Sequence, residues 1–178
     1  MGDGGQSQDR RRALRLTGYA VALLILIVDQ ASKWFIMGPM ELPRRMLFTL
    51  TPFFDLRWVE NYGVSMGFLV AGSNAERWML VGMTGLIAAA IVVWIWREKA
   101  RIDIYALGLV LGGAIGNIAD RSRLGYVADF LDLHIGDWHP FLVFNVADAA
   151  ITMGVLLLVA RALLVREPKA PVENIDAV

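Results

Sequence analysis

The sequence predicts an all-α polytopic membrane protein with four transmembrane helices. The chain is too apolar for an ordinary soluble domain, since 57% of its 178 residues are hydrophobic and its mean hydropathy is +0.52. Its apolar residues also gather into four runs, and a helix needs roughly 20 residues to cross the hydrocarbon core of a bilayer. We expect these helices at about 16–37, 78–96, 104–119 and 141–160.

The first run leads from a polar N-terminus into the membrane. Residues 1–15 include a Gly- and Gln-rich stretch and a cluster of arginines, and we expect them to be disordered. Near the far end of the run, Asp29 and Lys33 are four residues apart, so they share a helix face and can pair. No clear small-residue cleavage site follows the apolar core, which favours a retained anchor over a cleaved signal peptide.

The long segment after the first helix, 38–77, is mixed in polarity and is predicted to hold short strands. Aromatic and β-branched residues are dense between residues 48 and 60, where they partly alternate with polar ones. A turn-like stretch containing Asn61 and Gly63 follows. A connection of this length is too long to be a plain loop and is therefore a functional candidate.

Each of the other three runs has its own signature. The run at 78–96 is uncharged and has Trp at both ends, which suits the two membrane interfaces. The run at 104–119 repeats glycine every four residues, so a neighbouring helix can pack closely on one face. The run at 141–160 contains Asp148, and a carboxylate in a spanning helix costs about 2.5–3.5 kcal/mol to insert and usually faces a functional interior.

The basic residues predict how the helices are oriented in the membrane. They cluster before the first helix, in the connection 97–103 and after the fourth helix, so both termini, including the tail 167–178, are expected in the cytoplasm. The loops 38–77 and 121–140 then face outward, and the membrane domain as a whole covers 16–166. The formal net charge is zero, so no global basic field points to nucleic acid.

With this orientation the unusual polar residues converge on the outer side of the membrane. They are Asp29, Lys33, Asn117, Asp120, Arg121, Asp129, Asn145 and Asp148. Two close carboxylates in a site of low dielectric constant tend to share a proton, so one can act as general base on water and the other as general acid. The chain has no cysteine, and no Ser or Thr has an obvious base beside it, so an aspartyl mechanism is the simplest choice for a hydrolase.

The residues alone leave other functions open. A small proton-coupled transporter could use Asp148 and Asp29 as a relay, and a structural membrane-assembly protein could be built on the glycine stripe. Asp29 and Lys33 could equally be a neutralised ion pair at the interface. His134 and His139 are five residues apart in a loop, which is weak support for a metal site, and we expect no metal or cofactor.

Five motifs make the sequence recognisable. In chain order they are Asp29-Gln30-Ala31-Ser32-Lys33, Asn61-Tyr62-Gly63, Gly112-Gly113-Ala114-Ile115-Gly116-Asn117-Ile118-Ala119-Asp120-Arg121, Val127-Ala128-Asp129-Phe130 and Phe144-Asn145-Val146-Ala147-Asp148. Over residues 29–150 this set resembles lipoprotein signal peptidase, also called signal peptidase II, a bacterial family of inner-membrane aspartyl endopeptidases. Any one motif alone would be weak, but the last three are specific as a set.

The resemblance implies a substrate, a catalytic pair and a surrounding site. The substrate is a prolipoprotein that already carries diacylglycerol on the cysteine before which the family cleaves. Asp129 and Asp148 match the family's catalytic aspartates. Other characteristic positions, which support the site or bind substrate, are matched by Asp29, Lys33, Asn61, Gly63, Asn117, Asp120, Arg121 and Asn145.

The resemblance also implies features outside the catalytic pair. A small extracytoplasmic β-cradle and a half-helix are expected between helices 1 and 2. Membrane lipids and globomycin-type inhibitors are expected as binding partners, and nucleic acid is not. The implied location is the bacterial cytoplasmic (inner) membrane, with the active site toward the outer leaflet. One departure follows Gly63, where the family often has a small residue and then an aromatic one, and this chain has Ser65 and Met66.

Overall fold

The computed structural model describes residues 3–63 and 74–164, with their side chains from residue 8 onward. The elements in chain order are α1 Asp3–Met37, α2 Leu42–Arg45, β1 Leu47–Thr51, β2 Phe54–Asn61, α3 Asn74–Arg97, α4 Arg101–Arg123, β3 Val127–Leu133 and α5 Val146–Leu164. Four helices in this described part, α1, α3, α4 and α5, are long and apolar enough to cross a membrane. The predicted fold class, a four-helix membrane protein carrying a small sheet, is confirmed.

Helix α4 lies at the centre of the helical bundle. In its most apolar stretch 56% of the residues are buried, against 17–22% in the other three long helices. A side-chain carbon on Gly112 would lie 2.5 Å from the carbonyl oxygen of Ala22 in α1, and one on Gly113 would collide with the carbonyl oxygen of Ala147 in α5. The predicted glycine stripe therefore lets α1 and α5 pack directly against the backbone of α4.

Three antiparallel strands in the order β1-β2-β3 form a sheet beyond the C-terminal ends of α1 and α4. Strands β1 and β2 confirm the short strands predicted between residues 48 and 60. An apolar cluster that includes Ile36, Leu42, Trp58 and Phe130 packs the sheet against the end of α1. Burial of this cluster fixes the sheet relative to the helices.

The third strand corrects one prediction. The sequence predicts a loop over residues 121–140, but Val127–Leu133 forms β3 and pairs with β2. Acidic residues are depleted in strands, and this stretch contains two of them, so its pattern indicates a loop. In the structure Asp129 and Asp132 are each only 1% exposed, and side chains of β2 cover both: Asn61 donates to Asp129, and Arg57 forms an ion pair with Asp132.

Two helix boundaries also differ from the prediction. Helix α1 begins at Asp3 rather than near residue 16, so the N-terminal arginines lie on a helix and not in a disordered segment. Helix α5 begins at Val146 rather than at 141, because Phe144 is extended and pairs with Leu131 of β3. Periodicity alone cannot distinguish a short apolar extended stretch from a helical turn.

Part of the predicted outer loop falls beyond what the structure describes. In the described part, α2 is a single helical turn of four residues. The departure noted at Ser65 and Met66 and the tail 167–178 lie outside the described residues.

Candidate active site

The two predicted catalytic aspartates come from different kinds of element. Asp129 is the third residue of β3 and is 1% exposed. Asp148 is in the first turn of α5 and is half-buried. An acidic side chain is favoured there because the free N–H groups give the start of a helix a partial positive charge. Strand pairing therefore positions one carboxylate, and a helix start positions the other.

Two asparagine amides connect these carboxylates. The amide nitrogen of Asn145 donates to Asp129 Oδ1 over 2.6 Å and to Asn117 Oδ1 over 3.3 Å. The amide nitrogen of Asn117 in turn donates to Asp148 Oδ1 over 2.8 Å. Asn145 is fully buried and Asn117 is 7% exposed, so water competes little for these bonds. The predicted pair is thus joined by a continuous chain of hydrogen bonds.

Asn145 also caps the N-terminus of α5, the helix that carries Asp148. Its side-chain oxygen accepts the backbone N–H of Asp148 over 2.9 Å, and Asp148 Oδ2 accepts the backbone N–H of Asn145 over 3.3 Å. This is the reciprocal arrangement of a capping box, in which the first residue and the one three positions later satisfy each other's N–H groups. Asp148 is consequently held in one orientation by its own helix start.

Asn61, at the end of β2, supplies the second donor to Asp129. Its amide nitrogen donates to Asp129 Oδ2 over 2.9 Å, while its amide oxygen accepts the backbone N–H of Gly63 over 2.9 Å. Gly63 has a φ of +97°, and a side-chain carbon there would lie 2.6 Å from Leu80 Cδ1 of α3. Because the N–H of Gly63 binds the amide oxygen of Asn61, the turn at Gly63 directs the amide nitrogen toward Asp129.

A buried charged cluster lies behind the two aspartates and is formed by Asp29, Lys33 and Asp120, all at most 3% exposed. Lys33 Nζ lies 2.8 Å from Asp29 Oδ2 and 2.7 Å from Asp120 Oδ2. Gln30 Nε2 donates to Asp29 Oδ2 over 3.1 Å and to Asp120 Oδ1 over 3.0 Å. Cation and amide donors together satisfy two carboxylates that would be costly to bury alone.

This cluster also binds the backbone next to each catalytic candidate. Asp29 Oδ1 accepts the N–H of Ala147 over 3.0 Å, and Asp120 Oδ2 accepts the N–H of Ala128 over 3.2 Å. Ala147 precedes Asp148, and Ala128 precedes Asp129. The cluster therefore holds β3 and the start of α5 in a fixed relation.

The electrostatic environment of Asp129 is unusual for a carboxylate. Burial raises its pKa, and the negative charge of Asp148 raises it further. The hydrogen bonds from Asn61 and Asn145 and the charge of Lys33 act in the opposite direction, and the pKa of Asp129 is raised to about 7. Near neutral pH the pair can therefore hold a proton on one member while the other is ionised.

The structure brings the predicted site residues together in one region, with two qualifications. Arg121 interacts electrostatically with Asp148, Asp129 and Asp120, but within the described part of the chain it forms no ion pair with them. Gln30 belongs to the site and was not among the predicted residues. The signal that could have found it is its place inside the Asp29-to-Lys33 motif, since an amide beside a buried ion pair can bridge two carboxylates.

An apolar groove opens beside Asp148. Its volume is about 280 Å³, and its walls include Phe141, Leu142, Met153 and Leu156. The groove runs along the outer face of α5, where these side chains are largely exposed. A long apolar group could lie in it with its polar end at the aspartates.

Comparison with known proteins places the chain in a family. The family model described as "Signal peptidase (SPase) II" matches residues 21–164. The lipoprotein signal peptidase of Rhizorhabdus wittichii is 74% identical over 96% of this chain and 99% of its own length. That of Sphingopyxis alaskensis is 52% identical over 84% of this chain and 87% of its length.

Solved structures agree with the sequence relatives. A bacterial membrane enzyme solved by the in meso method at 1.9 Å resolution is 29% identical, with a TM-score of 0.72 over 85% of this chain and 94% of that one. A second such structure, at 2.3 Å, gives a TM-score of 0.69 with 29% identity over 83% of this chain and 87% of that one. The fold and these relatives agree, and the chain belongs to the signal peptidase II family.

Proposed function

We propose that this protein is a membrane aspartic endopeptidase that removes signal peptides from diacylglyceryl-modified prolipoproteins, cleaving before the lipidated cysteine. The observation that carries the proposal is the bonded pair of Asp129 and Asp148, joined through the amides of Asn145 and Asn117. Membership of the signal peptidase II family supports peptidase activity on prolipoproteins. The carboxylate pair supports an aspartic peptidase mechanism.

In the proposed mechanism the two carboxylates share one proton. Asp148 takes a proton from a water molecule as the oxygen of that water attacks the scissile carbonyl carbon. Asp129, whose pKa is raised to about 7, donates its proton to the developing oxyanion. Collapse of the intermediate breaks the C–N bond: Asp148 gives its proton to the leaving amine, and Asp129 takes a proton back from a hydroxyl group of the intermediate, so the pair returns to its starting charge. The pair titrates as a unit, so its proton is shared between both sites.

The groove beside Asp148 supports a lipid-modified substrate. Its apolar walls suit acyl chains or the apolar part of a signal peptide, and its open side is the lipid-facing surface of α5. Membrane lipids would fill it when substrate is absent. A globomycin-type inhibitor that occupies the same groove would block access to the pair.

We further infer that the protein lies in the bacterial cytoplasmic membrane with both termini in the cytoplasm. The N-terminal arginines of α1 are at one end of the bundle, and the sheet and aspartate pair are at the other. By the positive-inside rule the pair then lies toward the outer leaflet. The comparisons give no support to the transporter alternative, in which a proton relay would need polar groups through the full membrane depth.

The test is a gel-shift cleavage assay on purified protein with a diacylglyceryl-modified prolipoprotein. The unlipidated substrate and the Asp148→Asn variant run beside it. Cleavage by the wild type alone, and of the lipidated substrate alone, is the expected result. If folded wild type in suitable detergent and lipid leaves that substrate intact, the proposed activity is wrong.

A further inference from the structure

The turn between β3 and α5, residues 134–143, presents four large apolar side chains to its surroundings. Leu142 is 91% exposed, and Ile135, Trp138 and Phe141 are 63–66% exposed. Ile135 and Trp138 pair across the turn through two backbone bonds of 2.9 and 3.2 Å, so their side chains are neighbours on one face. Within residues 3–63 and 74–164 no side chain covers these four. A cluster of exposed apolar side chains marks an interaction surface.

Polar side chains of this turn lie against the sheet instead. His139 Nδ1 is 2.8 Å from Asp132 Oδ1 of β3, and the ring of His134 lies beside Asp55 of β2. The backbone N–H of His134 also donates to the carbonyl oxygen of Phe53 over 3.1 Å. The turn is therefore amphipathic, with its histidines held on the sheet and its apolar side chains left exposed.

The length of α5 indicates what these side chains contact. At the end of the bundle far from the aspartate pair, Arg161 of α5 forms an ion pair with Asp103 in the first turn of α4. From Val146 to Arg161 the helix rises only about 22 Å, whereas a hydrocarbon core is about 30 Å thick. By the same measure Trp78 and Trp96, which are exposed near the two ends of α3, are about 27 Å apart. The start of α5 therefore lies below the membrane interface on the side of the aspartate pair.

The exposed surface of the turn is continuous with the lipid-facing surface of α5. Phe141 and Leu142 line the groove beside Asp148 together with Met153 and Leu156, which lie about two and three turns into the helix. Met153 and Leu156 are exposed on a helix long and apolar enough to cross a membrane, so they face lipid. Side chains that share a groove with them, next to a helix start below the interface, reach the same lipid.

We propose that the turn 134–143 is inserted into the lipid leaflet on the side of the aspartate pair, where it completes the apolar length of the fourth span. Phe141 and Leu142 lie among the acyl chains, and Trp138 lies at the headgroup boundary, the depth that tryptophan favours. The groove beside Asp148 consequently opens to lipid rather than to water. The insertion does not depend on the reaction catalysed; only the sideways entry of a lipid-modified substrate into this groove rests on the proposed function.

The chain contains no cysteine, so a label can be placed at one chosen site. A nitroxide is attached to Leu142→Cys or Ile135→Cys in liposomes, and electron paramagnetic resonance compares its collisions with oxygen, which concentrates in lipid, and with a water-soluble nickel complex. Leu156→Cys is the lipid reference, and Arg10→Cys, at an exposed position near the opposite end of α1, is the water reference. We expect both turn sites to match the lipid reference.

The other results of this labelling experiment identify other surroundings for the turn. Collisions mainly with the nickel complex at Leu142→Cys and Ile135→Cys would place the turn in water and overturn the proposal. Sites shielded from both reagents would show that a second copy of the chain covers the turn, which would overturn it equally.

A second test uses the wild-type protein without a label. The chain has six tryptophans, and the difference in fluorescence between the wild type and Trp138→Phe isolates the emission of Trp138. In liposomes of phospholipids brominated near the headgroup end of their acyl chains, this difference should be quenched relative to liposomes of unbrominated lipid. An equal difference in the two lipids would contradict insertion of the turn. Neither measurement involves cleavage, so both results stand even if the cleavage assay fails.

Discussion

The side-chain amide of Asn145 donates to the carboxylate of Asp129 over 2.6 Å. The same residue caps α5 and orients Asp148 through two further bonds. One buried asparagine therefore couples the strand carboxylate to the helix carboxylate. Substitutions at Asn145 can separate these two tasks, because aspartate keeps the capping oxygen but loses the donor.

Asn145→Asp should reduce kcat by about 100-fold, comparable to the loss of one preorganised donor in other active sites. The added carboxylate disfavours the ionised form of Asp129 while the helix cap is kept, whereas Asn145→Ala loses both the donor and the cap. Turnover numbers and thermal unfolding of both variants check this. Wild-type kcat in Asn145→Asp would show that the amide donor has no role.

Asp129→Asn and Asp148→Asn should each abolish cleavage while leaving the protein folded in detergent. The amide replaces the carboxylate at nearly the same volume, so packing is kept and the acid–base function is lost. Asp137→Asn is the matched control, because this carboxylate is exposed on the turn that precedes α5. Measurable turnover close to the wild-type rate in either pair variant would rule out the proposed dyad.

The pH dependence follows from the raised pKa of Asp129, about 7. If Asp129 donates the proton, kcat should fall as the pH rises through about 7. The stability of the folded state should change with pH in the same direction. Between pH 3.8, the ordinary pKa of the group, and about 7, the folded state binds more protons than the unfolded state. The free energy of unfolding therefore decreases as the pH rises through this range. Asp129→Asn should remove this slope from the melting temperature. A slope unchanged by the substitution would assign it to other groups.

The sequence predicted the helices well because hydropathy acts over about 20 residues and needs no knowledge of contacts. It failed where an apolar or acidic stretch has two possible structures. Residues 141–145 are not helical, although their apolar side chains suit a helix, because Phe144 pairs with Leu131. β3 was predicted as a loop because acidic residues such as Asp129 and Asp132 are depleted in strands. Both are buried in the structure, and the partners that allow this cannot be read from the sequence.

The site was predictable as a set of residues but not as a network. The motifs predicted Asp129, Asp148, Asn117 and Asn145 as site residues, and the structure brings these four side chains together. The motifs could not show that Asp29 binds the N–H of Ala147, since this bond joins residues 118 positions apart. Gln30 was missed for the same reason: its two carboxylate partners are brought together only by the packing of α1 against α4.

Lys33→Met should destabilise the protein by about 3–5 kcal/mol, because removal of one partner leaves two buried carboxylates without their cation. Activity should fall with it, since Asp29 and Asp120 hold the backbone beside the aspartate pair. Chemical unfolding in mixed micelles measures the change. Lys99→Met is the control, because Lys99 is exposed. Equal stability of the two variants would contradict a structural role for the cluster.

Gly63→Ala should lower activity by disturbing Asn61 rather than by touching the aspartates. The φ of +97° is unfavourable for alanine, at about 1–3 kcal/mol, and the new methyl group would lie 2.6 Å from Leu80 Cδ1. Leu80→Ala in the same chain relieves the collision but not the backbone strain, so it should restore activity only in part. Full recovery in the double variant would show that the collision alone matters.

Asn61→Ala should reproduce the loss of kcat seen in Gly63→Ala, because in each of these two variants Asp129 Oδ2 loses the oriented amide donor.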